Sequence, residues 1–128
     1  MSSLSTISLA VMARALADDD GIDAYRAVLG WMDEASREDR ETVVLAIDER
    51  PALTGDVRVD ALLAAAAEHV SFHAEVRVPA WLSEADRFLR TAWFPIDLPS
   101  IRVRGLVSSP ASFARRGIFI DRSDLDRV

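Results

Sequence analysis

With 128 residues, half of them apolar and 28% charged, the chain is sized for one domain with its own core, which excludes a multidomain enzyme and a disordered tail. Cysteine, lysine, asparagine and glutamine are absent and all 15 basic residues are arginine, so disulfides, thiolate chemistry, lysine Schiff bases and a P-loop lysine are excluded as well. Charge is polarised: residues 1–75 hold 6 Arg against 15 acids, net −9, whereas residues 76–128 hold 9 Arg against 6 acids, net +3. The overall −6 argues against a general nucleic-acid binder, while the basic half can still meet an acidic partner.

Leu4, Ile7, Val11, Met12, Ala15 and Leu16 follow helical spacing, with serines before Leu4 as caps, and predict a first helix to about Ala17. This opening reads as an amphipathic helix and not as a signal peptide or membrane span, so the expected location is the cytoplasm. Ile22, Tyr25, Val28, Leu29 and Met32 predict a second helix capped by Asp20, with Asp23 in its first turn. Ser36 and Asp39 have capping-box spacing before Val43, Val44 and Ile47, a third helix that ends near Glu49 because Pro51 forbids another turn.

After the turn Pro51–Gly55, Asp56 opens the longest pattern, with Val59, Leu62, Leu63, Ala66, Ala67 and Val70 on one side and alanines at 64–67 that permit close helix approach. Ser83 and Asp86 predict a short fifth helix through Phe88, Leu89 and Ala92. Beyond Trp93, Pro95, Pro99 and Pro110 permit only short helices, Ser100 and Ser109 are starting signals, and Gly117 suits a C-terminal cap. Ile118–Ile120 reads as a short extended stretch, with Asp121 or Ser123 capping a last half-buried turn at Leu125 and Val128. The expected fold is all-α: a bundle of five or more helices in one domain, 1–128, with a proline-broken C-terminal region.

Three constellations bear on chemistry. Asp18-Asp19-Asp20-Gly21 has the look of a calcium loop, but setting Gly21 at the loop's glycine position puts Leu16 and Ala27 where carboxylates are needed, so it reads as an inter-helix turn. His69 and His73 are spaced i,i+4, half of a zinc site, with Val70 where a zincin has glutamate and Glu68 or Glu75 as the nearest further ligands; the alternative is packing or surface histidines. No nucleophile elbow, phosphate loop or dinucleotide fingerprint is present, and no catalytic residues or cofactors are assigned. Trp81 and the pair Trp93-Phe94 are interleaved with Arg87, Arg90, Arg102 and Arg104, and Arg115-Arg116 follow; arginine and tryptophan are the types enriched where proteins grip partners. These nine residues are the candidate partner-binding set, with core packing of the rings as the competing account.

The stretch RPALTGDVRVDALLAAAAEH, followed by PAWLSEADRFLRTAWFPIDLPSIRVRGLVSSPASFARRGIFIDRSDLDRV, resembles a bacterial family of antitoxins and regulators whose members often carry an N-terminal helix-turn-helix of the Xre type. The resemblance spans about residues 50–128, and its most specific parts are Trp93-Phe94-Pro95, Ser109-Pro110-Ala111 and Phe113 through Ile120. It implies a non-catalytic, partner-binding role, with a toxin encoded alongside as the partner. Residues 1–50 lack the compact helix, turn and basic recognition helix of that family's DNA-binding half.

The leading expectation is therefore an antitoxin-type inhibitor that holds a protein partner through its basic, aromatic half, or through its acidic half if the partner is basic. A homodimer is compatible with this, and no membrane partner is expected. Two alternatives stand beside it: a transcriptional regulator contacting DNA with Arg102, Arg104, Arg115 and Arg116, and a small metal-dependent enzyme using His69 and His73.

Overall fold

A computed structural model describes residues 8–17 and 20–126; Leu4, Ile7, Asp18, Asp19 and Val128, which enter the readings above, lie outside the described residues. Helix α1, Leu9–Leu16, starts where the Ser8 hydroxyl accepts a hydrogen bond from the Val11 N–H at 3.1 Å. That start sets its register. Leu9, Ala13 and Leu16 turn inward, and Val11 and Ala15, expected on the buried face, are exposed.

Helix α2, Gly21–Ser36, is capped by Asp20, which accepts from the Asp23 N–H at 2.9 Å, and buries Tyr25, Val28 and Met32 as the spacing predicts, together with Ala24, Trp31 and Ala35. Helix α3, Arg40–Asp48, is capped by Asp39 and not by Ser36: the Asp39 carboxylate accepts from the Thr42 N–H at 2.8 Å, while the Ser36 hydroxyl donates to the Asp33 carbonyl within α2. The short Asp side chain thus serves as the cap itself, and the expected reciprocal box is absent. Val43 and Ile47 are buried, whereas Val44 is exposed.

Helix α4, Val57–Ala74, is the axis of the molecule. It is buried on every side from Val59 through Ala67, alanines included, so the one-sided stripe read from the sequence understates it. Helix α2 runs against it, and α1, α3 and the C-terminal elements pack on its remaining faces. Small side chains at 64–67 let these neighbours approach closely. Buried Asp60 ties the preceding turn to it by accepting from the Thr54 N–H at 2.8 Å and hydroxyl at 2.9 Å.

The predicted fifth helix over Ser83–Ala92 does not form. Two 3₁₀ turns, Ala80–Ser83 and Ala85–Arg87, are followed by an irregular run whose backbone is committed elsewhere. The Leu89 N–H donates to the Arg116 carbonyl at 2.9 Å, the Trp93 N–H to Gly117 at 2.8 Å, and the Phe119 N–H to the Trp93 carbonyl at 3.0 Å. A segment paired with residues 116–119 cannot also close i to i−4 bonds, so tertiary pairing overrides the local cap signal. Trp93 and Ile118 form an isolated parallel bridge, and no strand occurs among the described residues.

Helix α5, Pro99–Ser108, has Pro99 in its first turn; α6, Ala111–Ala114, follows Pro110; and α7, Ser123–Asp126, follows Asp121, whose carboxylate accepts from the Ser123 N–H at 3.0 Å. Gly117, at φ +85°, reverses the chain after α6 as its cap position predicts. The fold is all-α, and among the described residues no helix is long and apolar enough to cross a membrane.

Candidate partner-binding surface

The structure divides the nine candidate residues into two groups. Trp81, Arg87, Trp93 and Arg116 are buried and serve the fold, which corrects their assignment to an exposed gripping face. The Trp81 indole N–H donates to the Ile47 carbonyl at 2.9 Å, closing the end of α3, and the Arg87 guanidinium lies 4.9 Å over its ring. Trp93 is seated on Gly21, where a Cβ would meet its ring at 3.1 Å, so the glycine lets the indole lie close against the start of α2.

Arg87, fully buried, donates to the Pro51 carbonyl at 2.6 Å and pairs with Glu84 at 3.2 Å. Arg116 donates to the Leu82 carbonyl at 3.0 Å and pairs with Glu68 at 3.1 Å, with the Phe88 ring beneath it. Burial lowers its pKa from the ordinary guanidinium value, and Glu68 opposes that shift. Glu84 is held below the usual carboxylate range, chiefly by its hydrogen bond from Arg50.

The second group is exposed: Arg90, Arg102, Arg104 and Arg115, with Phe94 half-buried between the Phe119 ring and the Arg102 guanidinium. Arg102 pairs with Asp97 at 2.6 Å, Arg104 with Asp121 at 3.3 Å and Arg115 with Glu68 at 2.8 Å. The Asp121 carboxylate is held below its ordinary pKa mainly by hydrogen bonds from Ser123, with Arg104 adding to them. With Arg116 inside and the other three sharing carboxylates, the four arginines proposed to contact DNA do not form one open phosphate-binding set.

Helix α5 carries a feature that the ring and arginine reading missed. Its only buried residue is Gly105, which presses on the backbone of Phe119 and Ile120. Ser109 secures that contact: its hydroxyl accepts from the Ile120 N–H at 2.8 Å and donates to the Gly105 carbonyl at 2.6 Å. Because the glycine side faces the core, Val103, Leu106 and Val107, spaced three and four apart, share the outward face at 62%, 62% and 82% exposure, with Leu98 exposed at the helix start. Arg102 and Arg104 flank Val103 on either side. An ordinary surface helix buries its apolar stripe; this one displays it between two guanidiniums. The spacing of Val103, Leu106 and Val107 is visible in the sequence, and so is the glycine opposite them, but only the packing shows which side is covered.

His69 and His73 have ring centroids 4.3 Å apart, and His69 makes an edge contact with the buried Phe113 ring. Among the described residues no third His, Asp or Glu joins them in a group able to hold a metal ion. Comparison with protein-family models, with curated proteins and with solved structures returns no match.

Proposed function

We propose that this is a non-catalytic binding protein of the antitoxin type, acting in the cytoplasm and holding a protein partner encoded alongside it against the outward face of α5. The observation that supports this is the exposed Val103-Leu106-Val107 stripe with Arg102 and Arg104 at its edges. Covering three such side chains is worth about 1.5–3 kcal/mol each before the cost of association is subtracted. Arg102 and Arg104 are each already paired with a carboxylate and keep further N–H donors at the edges, so the partner surface this face fits is apolar at its centre and polar at its rim. The resemblance of residues 50–128 to antitoxins supports the same role, inhibition being steric occlusion of the partner.

Co-expression with the product of the neighbouring gene, followed by size-exclusion chromatography, tests the reading. A stable complex is expected, weakened at least tenfold by Leu106→Asp with Val107→Asp, a pair whose exposure leaves the fold intact. Absence of a complex between two folded proteins, or a complex indifferent to that pair, would overturn it. Self-association through the stripe would replace the partner by a second copy.

A further inference from the structure

A cleft of about 910 Å³ opens between α2, the start of α3, the C-terminal half of α4 and α7. Its floor is apolar, formed by Leu29, Met32, Val70 and Leu125. Its polar lining includes four carboxylates, Asp33, Glu38, Asp39 and Glu41, and the His69 and His73 imidazoles. Two arginines also line it and keep their charge, Arg40 donating to the Glu75 carbonyl (2.6 Å) and Arg122 to the Ser108 carbonyl (3.1 Å), so carboxylates outnumber guanidiniums four to two. Asp33 is paired with Arg37 across one turn of α2 at 2.8 Å, and the Asp39 carboxylate is held below its ordinary pKa by the Thr42 N–H. The cleft therefore sits in the field of the acidic half, residues 1–75, whose net charge is −9.

We infer that this cleft is a second binding site, and that its occupant is a cationic, amphipathic helical segment of a protein. The volume is at the upper end of those that enclose a single organic ligand, about 300–1,000 Å³, and a lining that joins apolar side chains to an excess of carboxylates over guanidiniums suits a helix with apolar side chains on one face and lysine or arginine at its margins. The cleft has an excess of carboxylates in its lining, whereas the α5 stripe is apolar with its flanking arginines ion-paired, so the two surfaces select different chemistry, and this site stands or falls independently of what binds α5.

Isothermal titration of the full chain with two synthetic 14-residue peptides tests it: one with leucine at helical spacing and lysine elsewhere, the other with glutamate replacing every lysine. The Leu/Lys peptide is expected to bind, the Leu/Glu peptide at least tenfold more weakly. Glu38→Gln with Glu41→Gln, which removes two rim charges at nearly constant shape, should weaken the Leu/Lys peptide severalfold, whereas Leu106→Asp on α5 should leave it unchanged. No binding of the Leu/Lys peptide, equal binding of both peptides, an unaffected rim variant, or an α5 variant as impaired as the rim variant would each overturn the assignment.

Discussion

Replacing Gly105 by alanine adds a Cβ that meets the Phe119 carbonyl carbon at 3.1 Å, the Ile120 nitrogen at 3.2 Å and the Phe119 Cβ at 3.3 Å. Two effects compete. Alanine favours the helix by about 1 kcal/mol, while forcing a methyl into a packed contact costs about 1–3 kcal/mol. The neighbours decide the sign. Two of the three are backbone atoms, and that backbone is held by the Phe119 N–H to Trp93 and the Ile120 N–H to Ser109, so it cannot yield as a side-chain tip would. The expected outcome is a net loss of about 1 kcal/mol for Gly105→Ala. Gly30, in α2, is the control: it is exposed and a Cβ there meets nothing within 4 Å, so Gly30→Ala should gain about 0.5–1 kcal/mol. Urea unfolding of both variants measures the difference, with m unchanged and the midpoint moving in opposite directions. A Gly105→Ala protein as stable as the parent would refute the claim that α5 is pressed onto residues 119–120, and with it the reason its apolar face points outward.

Trp81→Phe keeps most of the ring but removes the N–H that satisfies the Ile47 carbonyl, and should cost about 1–3 kcal/mol in thermal or urea unfolding. Glu68→Ala leaves the buried Arg116 guanidinium without its carboxylate, for an expected loss of about 3 kcal/mol in urea unfolding. Asp39→Ala should destabilise the protein at neutral pH and not in strong acid. The folded-state carboxylate has a lowered pKa, so its contribution is present above the ordinary Asp range and is lost as pH falls through the lowered value. Unfolding midpoints of parent and variant should therefore converge as pH is lowered.

Elements whose signals are local were legible in the sequence. Asp20 and Asp56 each lie at a helix start as the sequence predicts, Asp39 is the cap where Ser36 is expected, and the apolar spacing of Tyr25, Val28 and Met32 identifies the buried face of α2. Pro99, Pro110 and Gly117 likewise mark the boundaries of α5 and α6. Readings that needed long-range information failed. The Ser83-Asp86 cap signal is real as a local preference, but residues 89–93 are taken up by pairing with 116–119, a contact no local window contains. Four of the nine candidate surface residues were misplaced for the same reason: enrichment of arginine and tryptophan marks partner grips and buried networks alike, and Trp81, Arg87, Trp93 and Arg116 belong to the second kind.

The buried arginines of residues 76–128 have a structural origin. Where the chain is neither helix nor sheet its carbonyls lack regular partners, and an unpaired buried carbonyl is costly. A guanidinium offers five donors in a fixed fork and can close several such carbonyls at once. Arg87 reaches the carbonyls of Pro51 and Asp60 and the carboxylate of Glu84; Arg116 reaches Leu82 and Glu68. In a chain without lysine, asparagine or glutamine, arginine carries this role inside the irregular half, and the +3 charge there overstates the cations available to a partner. Lysine separates the two uses. Arg87→Lys keeps the charge but its compact ammonium cannot span the separated acceptors that the planar fork reaches, and should lose about 2–3 kcal/mol, whereas Arg102→Lys, at an exposed pair, should stay within about 0.5 kcal/mol. Equal stability of the two lysine variants would mean that Arg87 contributes charge alone, and the distinction between internal and outward arginines would have to be abandoned.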